Sequence, residues 1–346
     1  MVPDDYLAHP SIKFVMHTIG TMETLSPFRL APYFRTRPWG FHDLSPWYNY
    51  KTEGEPIGEV WLTGEMCVAD TGPLKDLSLE EITRQHRSTL LGPALSGKDF
   101  PLLIKLLFPK EKLSVQVHPD DALAQSYGEP RGKTECWYAL EAKAGAKVAL
   151  GVRQGVTVDQ VKRAVNDHTL ESLLTLVPVE KGDMLFVDAG TVHAVGPGVV
   201  ILETQQTSDL TYRMYDYGSP RELHLEKSFA AMHLTTRAGK VPPRSVNGHS
   251  VLIEEKYFRI ERWPVRLGTA ASLVTPAQVV QMLFVTEGRI RISGLSFDGQ
   301  SFEPFFVERN QIAVIPAPTA RWTLGTDRPA EIIRILPAGD QGQPRP

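Results

Sequence analysis

The chain has 346 residues, of which 42% are hydrophobic and 22% charged, with a formal net charge of -3 at pH 7 and two cysteines, Cys67 and Cys136. A near-neutral balance without a long basic run gives no electrostatic case for nucleic acid or a membrane surface. No apolar run reaches the ~18 residues that span a bilayer, and two distant cysteines make no disulfide framework.

The opening Met1-Val2-Pro3-Asp4-Asp5 carries acids where a signal peptide carries positive charge, so a cytoplasmic protein is expected. Residues 1–25 show no firm pattern and read as an N-terminal extension. Ser78-Leu79-Glu80-Glu81 is a capping box, in which Ser78 and Glu81 satisfy each other's backbone donors, and predicts a helix to about Leu91. Strand-like runs follow at Leu102–Leu107 and Leu113–Val117, then a short helix start at Asp120 and Asp121 after Pro119. Further strands are expected at Glu135–Leu140 and Lys147–Val152. Thr157-Val158-Asp159-Gln160 opens a second capped helix to about Asn166, and Asp167–Glu171 can begin another. Met184–Val187, Val199–Gln205 and Thr211–Tyr215 complete the strands of this part. Val241-Pro242-Pro243 reads as a linker. Beyond it Val251–Trp263, Val279–Val285, Arg289–Ser293, Ile312–Ile315 and Ile332–Leu336 are again strand-like.

Short apolar runs cut by Gly, Pro and Asp predict a mainly β fold of sandwiches or small barrels. A repeat supports two similar units: Lys181–His193 lies in step over Arg309–Arg321, each a turn, an apolar strand, an Ala, a Thr and a terminal residue. In the second copy Arg321 stands where the first has His193. The expected organisation is an extension at 1–25, a first unit at 26–240 with helical insertions near 76–92 and 157–176, and a degenerate second unit at 241–346.

The chemistry concentrates in the first unit. In Leu113-Ser114-Val115-Gln116-Val117-His118-Pro119-Asp120, alternate strand residues point the same way, so Gln116 and His118 share a face and offer an amide oxygen and an imidazole nitrogen. Gly132-Lys133-Thr134-Glu135 precedes an aromatic strand, and Ala189-Gly190-Thr191-Val192-His193 ends another. Two His, one Glu and one Gln form a mixed nitrogen/oxygen donor set suited to zinc or a similar divalent ion. Each residue has a plainer alternative: a lone His is usually a satisfied core histidine, and Glu135 can simply pair with Lys133. Sequence spacing alone does not decide between them, because these residues must meet by folding.

Taken together, several strings resemble the type I phosphomannose isomerase family in its short bacterial form. They are Pro38-Trp39-Gly40, Lys105 within Leu103–Leu107, Ser114–Asp121, Gly132–Tyr138, Asp188–Ala194 and Glu203–Asp216, in the family's order from about residue 26 to 233. Beyond residue 240 the match is loose. The resemblance implies two cupin-like (jelly-roll) β-barrels with a small helical insertion, and interconversion of mannose 6-phosphate and fructose 6-phosphate through an enediol. It implies one divalent metal ion per chain, Zn2+ by preference, held by Gln116, His118, Glu135 and His193, and active-site roles for Lys133, Glu203 and Arg213. Lys133, Glu203, a histidine or hydroxide on the metal are candidate bases, and Arg213 would add positive charge beside the developing oxyanion. Lys105, Ser114 and Ser208 are candidates for phosphate contact, and Trp39 for the sugar pocket, although a core Trp would also account for Trp39 and a solvated ion-pair cluster for Lys133, Glu203 and Arg213. The partner is a small sugar phosphate, with no nucleic acid and no membrane. A different sugar-phosphate isomerase, a cupin oxygenase or a non-catalytic sugar-binding cupin are the alternatives.

Overall fold

The computed structural model describes residues 25–338, apart from 96, 98, 268–270, 274–278, 296–298, 318 and 320. The expected N-terminal extension lies outside the described residues, except Leu25, which is buried.

Four antiparallel sheets form two pairs. The large sheet of the first pair runs Gly239–Val241, Met184–Val187, Glu135–Ala142, Val199–Gln206, Leu102–Leu107, Ile57–Trp61, Tyr33–Phe41, and its smaller partner runs Tyr212–Tyr215, Val115–Val117, His193–Val195, Lys147–Val152, Leu174–Pro178. The second pair joins Phe28–Leu30, Ile312–Ile315, Gln281–Glu287, Ala330–Pro337, Phe258–Val265, His249–Glu254, Arg244–Val246 to Ala271–Leu273, Arg321–Gly325, Arg289–Leu295, Phe305–Glu308. The fold is thus mainly β, as expected, and each pair of sheets is the double-sheet form of the anticipated jelly roll. The first described strand, Phe28–Leu30, pairs with Ile312–Ile315 and so belongs to the second sheet pair, although it falls within the 26–240 unit expected from sequence.

Side-chain alternation decides what lies inside. On Glu135–Ala142, Trp137 and Ala139 face the first unit's interior while Cys136, Tyr138 and Leu140 face outward. On Gln281–Glu287, Leu283 and Val285 face inward while Met282 and Phe284 face outward. The outward faces of the two large sheets share one apolar cluster, including Ile104, Leu106 and Cys136 from the first and Phe258, Met282 and Ile333 from the second. That shared cluster joins the units. At about 1.5–3 kcal/mol per fully buried large aliphatic or aromatic side chain, apolar burial is the dominant attraction between them.

The helices start where the caps predicted. Leu79–Leu91 has Ser78 as N-cap with both capping-box bonds, and Val158–Asn166 has Thr157 with Gln160 in the same arrangement. Asp120 caps Asp121–Ser126. Leu170–Leu173 is a 3-10 turn, where a helix start was expected. Leu225–Ala231 is a helix without a side-chain cap at His224, so it carried no start signal. The run Val251–Trp263 is two strands, broken by a turn at Glu255-Lys256-Tyr257 closed by the Glu255 N–H on the Phe258 carbonyl; no Gly or Pro marks the break.

The repeat is realised strand for strand. Met184–Val187 and Ile312–Ile315 occupy matching positions, each preceded by a left-handed turn residue, Gly182 at φ +93° and Asn310 at φ +66°, and His193 and Arg321 each open the next strand.

Candidate metal centre and active site

Three adjacent strands of the first large sheet bring Lys105, Glu203 and Glu135 to its inner face. Glu203 lies opposite Lys105 on one side and Trp137 on the other, and Gln205 lies opposite Glu135. From the facing smaller sheet, Gln116 stands between His193 and Arg213, with His118 just beyond the end of its strand. Val115, Val117, Tyr212 and Met214 on the same strands pack outward, so Gln116 and Arg213 point inward.

The result is a cluster inside the first unit. His118, Glu135 and His193 each offer a ligand atom, all within 4.8 Å of one another, and all three are buried. His118 Nδ1 lies 2.7 Å from the Leu210 carbonyl and His193 Nδ1 2.9 Å from the Thr191 carbonyl. A carbonyl only accepts, so each Nδ1 carries the proton and each Nε2 presents a lone pair, the arrangement found in metal-ligating histidines. Burial lowers the His118 pKa well below the usual value, with Lys133 adding to the effect, and burial brings His193 down to about 4, so both rings stay neutral. Gln116 turns its amide nitrogen to His193 Nε2 at 3.2 Å and its oxygen to Ser114 Oγ at 3.3 Å. Exchanging the amide's two ends puts the oxygen on the cluster side and lets the nitrogen donate to Ser114.

Does this donor set fit an ion? Glu135 Oε1 is buried with no hydrogen-bond partner, and the Lys133 ammonium sits 2.5 Å from Glu135 Oε2 and 2.9 Å from His118 Nε2. A cation therefore already rests on two of the prospective ligands, while a carboxylate oxygen lacks the partner that its burial demands. Two neutral imidazoles and one carboxylate make a set of zinc-binding type. The residues fit a divalent metal.

Around the cluster, Glu203 is bracketed by Lys105 at 3.1 Å and Lys133 at 3.5 Å. Burial raises the Glu203 pKa; Lys105 opposes this and the neighbouring Glu135 adds to it. Burial opposes the charge on Lys105, but Glu203 and Glu59 outweigh it, so its pKa lies above the usual lysine value. The sequence had not singled out Glu59, which is buried and bound by Arg37 and by Trp61 Nε1. Arg213 is set apart from the acids of the cluster. Its Nη1 donates to the Glu222 carbonyl at 2.7 Å, its Nε is buried without a hydrogen-bond partner, and Asp216, 3.9 Å from that Nε, is claimed by two donors of Arg221.

The remaining predicted residues have other surroundings. Trp39 is buried in the apolar cluster with Leu107, Leu113 and Leu185, in the core position that was its alternative. Ser114 is buried against Gln116, and Lys105 is engaged by Glu203. Ser208 is half-buried and accepts from the Leu210 N–H. Gly190 ties the two ligand loops together, since its N–H donates to the His118 carbonyl. Its φ of +87° favours glycine, and a Cβ there would fall 2.5 Å from His233 Nδ1.

In the second unit the matching register positions hold different chemistry. Gln281 stands opposite Ile315 as Glu135 stands opposite Val187, and Arg334 pairs with Glu261 as Glu203 pairs with Lys105. The charges of the buried pair are exchanged between the strands, and Arg334 Nε donates to Gln281 Oε1 at 2.7 Å.

Comparison with known proteins supplies the context. The phosphomannose isomerase type I catalytic domain family matches residues 28–150. The mannose-6-phosphate isomerase of Streptococcus mutans is 31% identical over 314 residues, covering 87% of this chain and 96% of that protein. Mannose-6-phosphate isomerase ManA of Bacillus subtilis is 34% identical over 301 residues, covering 82% and 91%. Among solved structures, the mannose 6-phosphate isomerase from Bacillus subtilis is similar with a TM-score of 0.77 and 29% identity, covering 90% of this chain and 99% of that one.

Proposed function

The chain belongs to the type I phosphomannose isomerase family, and from that membership we propose how its residues interconvert mannose 6-phosphate and fructose 6-phosphate. The observation that carries the proposal is the buried His118–Glu135–His193 cluster with Lys133 and Glu203 against it. His118, Glu135, His193 and the amide oxygen of Gln116 hold the metal, and zinc is the ion best matched to two imidazoles with oxygen donors. When bound, the metal is a Lewis acid that stabilises negative charge developing on the sugar's two reacting oxygens.

The rest is the work of the chain. Isomerisation moves a proton between C2 and C1 through an enediol, and a group on one face must accept it and return it. Lys133 and Glu203 are the proton-exchanging groups beside the cluster, and burial favours the protonated form of Glu203. Lys105 fixes Glu203 from behind. Arg213 directs its guanidinium into the site to steady the enediolate oxygens. Ser208 and the donors around it are proposed to meet the phosphate. The free thiols Cys67 and Cys136, both buried, support a reducing, cytoplasmic setting.

A coupled assay with mannose 6-phosphate tests the reading directly. Turnover is expected, with loss on chelation and recovery on adding back Zn2+. Tight sugar-phosphate binding without turnover in metal-loaded protein would identify a binding protein instead.

The metal count is a separate expectation. Arg321 cannot lose its proton and cannot ligate an ion, and it stands where His193 stands in the first unit, with Gln281 at the position of Glu135. Elemental analysis should give one ion per chain; two equivalent sites, one in each unit, would refute the assignment of a degenerate second unit.

A further inference from the structure

The Lys133 ammonium touches two prospective ligands, so the backbone that carries it has to be fixed. Three consecutive amides do this. The Gly132 N–H donates to Asp121 Oδ1 at 3.0 Å, the Lys133 N–H to the Pro119 carbonyl at 3.0 Å, and the Thr134 N–H to Gln206 Oε1 at 2.9 Å. Gln206 is itself anchored, because its Nε2 donates to Asp121 Oδ1 at 2.9 Å. Asp121 thus governs the segment on both sides of Lys133. Close packing reinforces it: a Cβ on Gly132 would lie 2.4 Å from the Asp120 carbonyl carbon and 2.5 Å from the Pro119 oxygen, so the segment lies flat against the turn that bears Asp121.

The second oxygen of Asp121 is held from the other unit. Tyr257, in the turn between two strands of the second large sheet, donates its hydroxyl to Asp121 Oδ2 at 2.6 Å, and Lys256 lies 3.5 Å from the same oxygen while donating to the Tyr257 hydroxyl at 2.9 Å. The Asp121 carboxylate therefore has donors on both oxygens, three of them aimed by hydrogen bonds and two of those from the Lys133 segment's own supports. Although burial opposes the charge on Asp121, the hydrogen bonds from Tyr257 and Gln206 outweigh it and favour the ionised acceptor.

We propose that Tyr257 and Asp121 are positioning residues that clamp the Gly132–Thr134 segment, so that the second unit, which has exchanged its own acidic site, holds the catalytic lysine of the first. The proposal rests on the assignment of Lys133 to the active site. Oriented groups that are displaced by a fraction of an ångström lose rate without losing the fold, whereas an ordinary contact between units would affect stability alone.

The isosteric Tyr257→Phe removes only the hydroxyl. In the metal-loaded enzyme kcat should fall roughly 10-fold, as for supporting hydrogen bonds around a reactive centre, with KM, metal content and melting temperature near those of the parent. Amide exchange at Gly132, Lys133 and Thr134 should quicken. Asp121→Asn should show the same pattern more strongly, and adding Tyr257→Phe to it should change kcat little further, since both act through one carboxylate. Unchanged kcat and exchange in Tyr257→Phe, or a lowered melting temperature with kcat intact, would overturn the clamp. A parent protein inert toward mannose 6-phosphate, whose exchange at 132–134 nevertheless quickens in Tyr257→Phe, would overturn the functional reading and leave the clamp standing.

Discussion

Glu135→Gln is expected to abolish stoichiometric metal binding and lower kcat by at least roughly 10²–10³-fold, the loss seen when a central electrostatic stabiliser is removed. Glu135 is the only carboxylate in the His118–Glu135–His193 cluster, and the substitution keeps its shape while deleting its charge. Two neutral imidazoles and two amides then remain, a far weaker set for a hard or borderline divalent cation. The change also strips the Lys133 ammonium of the partner 2.5 Å away. Removing one member of a buried ion pair typically costs about 3–5 kcal/mol, here offset by Glu203 at 3.5 Å from the same ammonium. The melting temperature should therefore fall, and excess Zn2+ should restore little of it. His118→Ala should likewise empty the site. Elemental analysis of the two variants showing metal at the parent level would sink the ligand assignment, whatever the activity.

Much of this site was legible in the sequence because its residues sit at strand positions whose facing follows from a period of two. Gln116 flanked by Val115 and Val117, and Glu135 ahead of Trp137, could face only one way once one neighbour was assigned to the core. The capped helices were equally legible, since Ser78 with Glu81 and Thr157 with Gln160 carry their start signal locally. What escaped depends on contacts between distant strands. Glu59 fell in no expected element and Asp121 read as a helix-start acid, and only the folded sheet sets Glu59 near Lys105 and sets Tyr257, 136 residues later, against Asp121. Tyr33–Phe41 carries charged residues and a proline between its aromatics, and Ile57–Trp61 is short and interrupted by Gly58 and Glu59, so no clean alternation marked them.

Residue type was a poorer guide to role than position was. Lys105 has the charge of a phosphate ligand but is buried against Glu203, and Trp39 has the surface of a sugar platform but packs in the core. The partner of Lys105 comes from the neighbouring strand and those of Trp39 from more distant segments, and no string of residues around Lys105 or Trp39 contains that information.

Arg213→Lys should lower kcat roughly 10²–10³-fold while metal content and melting temperature stay close to the parent. Arg213 faces inward beside Gln116, yet its donors are largely uncommitted within the protein. Asp216, the acid in reach, lies 3.9 Å from its Nε and is already bound through both oxygens by Arg221. Its Nη1 meets the Glu222 carbonyl, and its Nε is buried without a hydrogen-bond partner. A guanidinium kept partly buried with an unsatisfied donor is unfavourable for folding alone, and an anionic group arriving with the substrate would satisfy it. Lysine keeps the charge but not the planar fork, and the two are not interchangeable where two oxygens must be held at once. A bracing role makes the opposite prediction. If Arg213 mainly ties its strand to the Glu222 loop, Arg213→Lys should lower stability by the worth of one hydrogen bond, about 1 kcal/mol, with a matching fall in melting temperature, and leave kcat of the folded enzyme alone. The backbone bond from the Arg213 N–H to His224 Nδ1 survives either way, so the strand keeps its place in the variant. Measuring kcat, metal content and melting temperature on one preparation separates the two roles. A folded, metal-loaded Arg213→Lys enzyme with near-normal kcat would rule out the direct role in catalysis.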